Sequence, residues 1–202
     1  MPLALVSDIH GSDDALAAVV AELERAGIER VVCLGDAVQG GDQPREVLDR
    51  LAALGWPVVL GNADAFLLEI PDDSPEPLTQ GHLDKREWTL AQLDPAHLEQ
   101  IRSFAPTIDA ELDDGLALRA FHGSPHSHDD VILPETPDAQ VEPLLGGSGV
   151  DVLAGGHTHM QWTRYVDGAL YVNPGSVRDN GAYAIVTGGS VEFRRALWQN
   201  ES

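Results

Sequence analysis

Short apolar runs recur along the chain, each stopped by glycine or a polar residue. Leu3 to Val6 is the first and reads as a buried strand. Ser12 then stands where a helix cap belongs, ahead of Ala15, Leu16, Val19, Val20 and Leu23, which share one face at helical spacing. Gly27 ends that helix; Val31 to Leu34 is the next strand, Gln43 to Leu54 the next helix with Val47, Leu48 and Leu51 inward, and Pro57 to Leu60 a third strand. This βαβαβ opening implies a parallel arrangement in which the carboxyl ends of the strands share one edge, where ligands of such sheets bind.

Residues 71 to 81, rich in Pro and Asp, read as a loop, and Glu87 to Phe104 as helix, broken at Pro95 with Asp94 capping its second part. The rhythm then turns to β, with strands over 107–112, 116–121, 150–153, 169–172, 182–186 and 191–194. Asp113-Asp114-Gly115 and Gly188-Gly189 suit hairpin turns. The expected fold is α/β, a two-sheet αββα sandwich with mixed β-sheets flanked by helices. It forms one domain over 1–202, with a variable helical segment at about 70–106. The apolar pattern of that segment, Trp88, Leu90, Leu93, Leu98 and Ile101, fits either a lid or ordinary packing; an exposed face there would imply a homodimer contact.

Composition narrows the class. The 202 residues are 43% hydrophobic, enough for a substantial core. No apolar run approaches the roughly 18 residues of a spanning helix, and the N-terminus lacks the basic flank of a signal peptide, so no membrane partner is expected. The single cysteine, Cys33, lies in an apolar run and reads as a buried thiol, which suits a cytoplasmic protein. With 33 acidic against 12 basic residues, the formal charge is −21 and the only lysine is Lys85; long nucleic acid is an unsuitable partner.

The strand ends carry the chemistry. They read Ser7-Asp8-Ile9-His10-Gly11, Gly35-Asp36, Gly61-Asn62, His122-Gly123 and Gly155-Gly156-His157-Thr158-His159. Each brings a carboxylate, amide or imidazole, the donors that suit Mn, Fe, Zn or Ni. In extended backbone, residues two apart point the same way, so Asp8 with His10, and His157 with His159, are expected as convergent pairs. Seven donors exceed one tetrahedral site and suit two ions sharing a ligand. Two carboxylates leave two dications with excess positive charge, which attracts phosphate and acidifies bound water.

These motifs, DxH, GD, GN, H and GHTH, followed by Asn173-Pro174-Gly175-Ser176, resemble the calcineurin-like metallophosphoesterase superfamily, above all its small bacterial and archaeal phosphodiesterases. The resemblance runs from Leu3 to about residue 194 and is weakest over 70–110. It implies that Asp8, His10, Asp36 and His159 hold a first divalent ion and Asp36, Asn62, His122 and His157 a second, with Asp36 as the bridge and Mn the leading metal among Mn, Fe, Zn and Ni. It also implies hydrolysis of a small phosphoester by a metal-bridging hydroxide attacking phosphorus in line, so that Asp36 and Asn62 act through that hydroxide. Asn62 would bind metal without adding negative charge.

Many members of the superfamily have histidine after GN; this chain has Ala63, so no protein general acid is assigned. His126 and His128 are candidates for that role or are solvated loop residues, and Arg178 either clamps a substrate phosphate or pairs with Asp179. His82 and His97 read as structural or exposed. Three functions compete: a small-molecule phosphodiesterase, which leads; a phosphomonoesterase acting on nucleotides or phosphoproteins; and a non-catalytic scaffold, since a retromer coat subunit resembles this fold.

Overall fold

The computed structural model describes residues 1–71 and 78–198. Two mixed sheets face one another. The first has strand order β2-β1-β8-β9, from β1 (Leu3–Val6), β2 (Arg30–Cys33), β8 (Ala182–Thr187) and β9 (Ser190–Arg195). The second has order β3-β4-β5-β7-β6, from β3 (Ile108–Glu111), β4 (Ala117–Ala120), β5 (Val152–Ala154), β6 (Gln161–Val166) and β7 (Ala169–Pro174). β1 and β2 are parallel, as are β4, β5 and β7; the remaining pairings are antiparallel.

Strand alternation explains the layering. In β1, Leu3 and Leu5 point between the sheets, where they meet Val32, Leu118, Val152 and Val172. Ala4 and Val6 point outward onto Leu16, Val19 and Leu48 of helices α1 (Asp13–Arg25) and α2 (Pro44–Leu54). The far face of the second sheet packs Leu153, Phe121 and Tyr171 against Trp162 and helix α6 (Asp138–Leu145). The αββα sandwich expected from the sequence is the fold observed.

α1 buries the five residues expected of it, together with Asp13. Ser12 occupies the N-cap position of α1, but its side chain makes no capping hydrogen bond. The segment 57–60 is not a full strand: it touches its neighbours through single bridges, Cys33 with Val58 and Val59 with Ala105. It turns at once into α3 (Asn62–Leu68), an element absent from the sequence reading because Asn and Asp at a helix start favour turns as readily. β6, α6 and the single-turn α7 (Val177–Asn180) were also not foreseen.

The expected loop 71–81 partly lies outside the described residues, at 72–77; its end is helix. There α4 (Gln80–Gln92) starts seven residues before the expected Glu87, because Thr79 and His82 form a reciprocal capping box. α5 (Pro95–Arg102) begins as expected, with Asp94 accepting from the N–H groups of Ala96 and His97. Among the described residues no helix is long and apolar enough to cross a membrane.

Leu5 is fully buried between the sheets on the strand that delivers Asp8. Leu5→Ala is expected to destabilise the fold by about 2–5 kcal/mol, read as a lowered urea midpoint.

Candidate metal centre

The strand ends named in the sequence meet at one edge of the sandwich. Ligand atoms of Asp8, His10 and His159 lie within 4.8 Å of one another, and so do those of Asp36, His122 and His157. Asp36 connects the two groups: its Oδ2 is 3.3 Å from His122 Nε2 and 3.7 Å from His10 Nε2. Asn62 Oδ1 stands 3.1 Å from His122 Nε2. All seven expected donors therefore converge.

They do so by a different backbone route from the one expected. Asp8 (φ 56°), His10 (47°), Asp36 (52°), His157 (70°) and His159 (59°) are all left-handed, not extended. Asp8 and His10 still converge, with Nε2 to Oδ1 at 3.8 Å, but His157 and His159 separate, one into each group. Simple alternation fails because a left-handed residue turns the chain and redirects the side chains on either side. The division that results follows the ligand sets implied by family resemblance.

The stretch 61–64 is built around Asp36. A Cβ on Gly61 would lie 2.2 Å from Asp36 N, so only glycine allows this approach. The Ala63 N–H donates to Asp36 Oδ1 at 2.8 Å, which leaves Oδ2 facing the imidazoles. Asp64, to which sequence reasoning gave no role, is fully buried and accepts from the N–H groups of Ala37 (3.1 Å) and Val38 (3.0 Å), fixing the turn after Asp36. Burial, then the charge of Asp36, pushes the Asp64 carboxyl up to about 7.

The other side is braced by Asn173-Pro174-Gly175-Ser176. Asn173 Nδ2 donates to Gly156 O (2.6 Å) and Thr158 Oγ1 (3.1 Å), holding the turn that carries both histidines. Ser176 Oγ donates to the carbonyl of Asp8 at 3.0 Å.

Histidine tautomers test whether the site suits a cation. His10 Nδ1 faces Gln39 O and His122 Nδ1 faces Leu34 O, both at 2.8 Å, and His159 Nδ1 faces Asp179 Oδ2 at 2.7 Å. These oxygens only accept, so each Nδ1 carries a proton and a neutral ring turns its Nε2 lone pair inward. Two such lone pairs, on His10 and His159, stand 3.1 Å apart. Asp8 Oδ1 is buried with no hydrogen-bond partner, 3.3 Å from His159 Nε2. Lone pairs facing one another need a cation or protons between them, so the donor set fits metal.

The protonation balance agrees. Burial opposes charge on His122, but the Asp36 carboxylate outweighs it and lifts the imidazole to about 10. The neighbouring Asp8 carboxylate lifts His159 to about 9, against burial. Burial, then the charge of His122, pushes His157 down.

A cavity of about 300 Å³ beside the centre is lined by Asn62 and His128, and two larger ones flank it. One of about 420 Å³ is lined by Asn62, Ala63 and His157 with Gln39, Phe66, Pro71, Leu78, His82, Asp129 and Val131. The other, about 700 Å³, is lined by Ser12, Gly40, Gly41, Asp42, Trp88, Arg178 and Asp179. Arg178 thus borders the site, and it makes no ion pair with Asp179, whose carboxylate is held by His159. His126 is exposed and lines none of these cavities; its backbone N–H donates to Ser124 Oγ at 3.1 Å. His82 takes an imidazole to the 420 Å³ cavity, a placement hidden from the sequence because the start of α4 was misread.

A two-sheet sandwich with paired carboxylate and imidazole clusters at its strand ends defines a metal-binding phosphoesterase-type domain. The chain belongs to the calcineurin-like phosphoesterase superfamily, whose domain matches residues 1–192. It is 27% identical over 190 residues, 94% of this chain and 75% of the other, to an uncharacterized protein of Methanocaldococcus jannaschii. A hypothetical protein from Pyrococcus horikoshii shares the fold with a TM-score of 0.87 at 19% identity, covering 99% of this chain and 89% of that one. A metallophosphoesterase from Sphaerobacter thermophilus does so with a TM-score of 0.79 at 24% identity, covering 98% and 89%.

Metal and protons compete for the same Nε2 atoms. His122 and His159 hold protons up to about 10 and about 9, so at pH 7 an entering ion must expel them. Calorimetric titration of metal-free protein with Mn at pH 7, repeated in buffers of different ionisation enthalpy, is expected to show release of about two protons per fully loaded centre. Apparent affinity should rise with pH until about 9–10. Buffer-independent heats would contradict the assigned proton positions.

Proposed function

We propose that the chain is a dinuclear metal-dependent phosphodiesterase acting on a small phosphodiester, with Mn as the preferred metal and Fe, Zn or Ni as substitutes. The observation that carries this reading is the position of Asp36 Oδ2 between the two groups, within reach of imidazoles from both. Asp8, His10, Asp36 and His159 would hold one ion, and Asp36, Asn62, His122 and His157 the other. Bound there, two divalent ions supply an acidified water and positive charge for the phosphoryl oxygens.

The chain's own residues prepare that chemistry. Asp179 fixes the His159 ring, and the carbonyls of Gln39 and Leu34 fix those of His10 and His122, so the ligand nitrogens need no reorientation. Asn62 brings oxygen without charge, which preserves the attraction for an anionic substrate. Ala63 lines the smaller of the two flanking cavities, and its methyl group has no proton to give a leaving group.

Two features favour a diester over a monoester. The missing acid suits a leaving group that departs with little help, and two separate cavities give room for two substituents on one phosphorus. The buried Cys33 thiol fits a reducing cytoplasm, and the charge of −21 favours a small ester over long nucleic acid.

Asp36→Asn is expected to lower turnover by about 100-fold or more and to reduce bound metal at both sites, measured by rate and by elemental analysis. Near-normal metal content and rate would remove Asp36 from the bridge. With Mn, bis(p-nitrophenyl) phosphate should be cleaved faster than p-nitrophenyl phosphate; the reverse order would move the assignment to a phosphomonoesterase.

A further inference from the structure

Basic side chains are scarce here, twelve in a chain of net charge −21, and nearly all are engaged. Arg25, Arg45, Arg50, Arg102, Arg119, Arg164 and Arg194 pair with carboxylates. Arg30 and Arg86 donate to backbone carbonyls and Arg195 to Gln161. Among the described residues only Lys85 and Arg178 have side chains without a hydrogen bond or ion pair. They come from distant parts of the sequence, yet both border the same indole. Arg178 shares the 700 Å³ cavity with Trp88, and Lys85 shares with Trp88 an adjoining cavity of about 330 Å³.

That indole is open to solvent, with Trp88 45% exposed, and Gly40 and Gly41 line both cavities beside it. The surface adjoins the metal centre directly. A Cβ placed on Gly40 would lie 2.8 Å from Arg178 Nη1 and 3.0 Å from His10 Cβ, so the guanidinium and the ligand histidine press on the same glycine. Asp179, which orients His159, lies on the cavity wall. Asp42 lines the cavity too, without pairing with Arg178, and Asp84 of the adjoining cavity accepts from Gln80.

An exposed aromatic face, two unengaged cations and one available carboxylate match the parts of a phosphorylated nucleoside. A base has a planar face for stacking, a further phosphate takes the cations, and a sugar hydroxyl donates to a carboxylate. We propose that the Trp88 face is a subsite for a nucleoside arm of the diester: Trp88 stacks the base, Arg178 and Lys85 hold a second phosphate, and Asp42 accepts from the sugar. This rests on the diester reading only for where the scissile phosphate sits; the subsite binds its arm whether or not cleavage follows.

Two measurements on the Mn-loaded protein test it. The first compares bis(p-nitrophenyl) phosphate with thymidine 3′-phosphate 5′-(p-nitrophenyl phosphate), which has the same leaving group but adds base, sugar and second phosphate. The nucleotide ester is expected to show a kcat/KM about tenfold or more higher, mainly through KM, and Trp88→Ala or Arg178→Ala to lower that ratio by about tenfold. Taking the ratio within each variant cancels any loss of folded protein. The second is calorimetric binding of thymidine 3′,5′-bisphosphate, which Trp88→Ala and Arg178→Ala should each weaken about tenfold while Trp88→Phe retains most of it.

A wild-type ratio near one, together with binding unmoved by both alanine variants, overturns the subsite and leaves the diesterase standing. Trp88-dependent binding without cleavage of either ester supports the subsite and removes the diesterase. No cleavage of either ester together with binding unmoved by both alanine variants removes both.

Discussion

The centre depends on residues that hold an uncommon backbone conformation. Asp8, His10, Asp36, His157 and His159 all have positive φ, at a cost of about 1–2 kcal/mol each for side chains bearing a Cβ. That cost is met because the turns support one another. Asp8 N donates to Gly35 O, His10 N to Asp36 O and Gly11 N to Ala37 O, so the first two strand ends are cross-linked beyond their sheet. Val177 N and Arg178 N donate to the carbonyls of Ser7 and Asp8 from the opposite side. Behind them β1 and β2 are buried on both faces, a rigid base from which short turns project.

The same arrangement settles an electrostatic difficulty. Three buried carboxylates, Asp8, Asp36 and Asp64, lie near one another in a strongly acidic protein. They are separated by function through their partners. Asp64 is saturated by backbone N–H groups, Asp36 is half-occupied by Ala63 N and half-exposed to imidazoles, and Asp8 keeps an oxygen with no partner. Only Asp8 and Asp36 therefore offer oxygen to a cation, while Asp64 holds the turn that aims one of them. A fully compensated carboxylate is a strut; an under-compensated one is a ligand.

The fold and the donor set could be read from the sequence for a shared reason. Strands buried on both faces leave uninterrupted apolar runs, and polar residues following each run stand out against them. The route by which the donors converge could not be read, since positive φ at Asp or His leaves no mark in composition. Asp64 and Asp179 were equally hidden: an acidic residue near a ligand looks the same whether it braces the backbone or faces water. α3 was lost because Asn and Asp at a helix start look like a turn until the following apolar residues are seen to pack. The Trp88 face could not emerge because it joins α4 to the turn after His10, a juxtaposition that only tertiary structure creates.

Position 63 serves the centre through its backbone. Its contribution to Asp36 is a backbone N–H, which any residue except proline supplies. Ala63 also lines a cavity shared with Asn62 and His157. The placement of Asp36 is therefore indifferent to which side chain stands at position 63. Under the proposed diesterase reading, a methyl group at position 63 leaves substrate choice to the walls of the two cavities, and on the larger of them the exposed indole is Trp88.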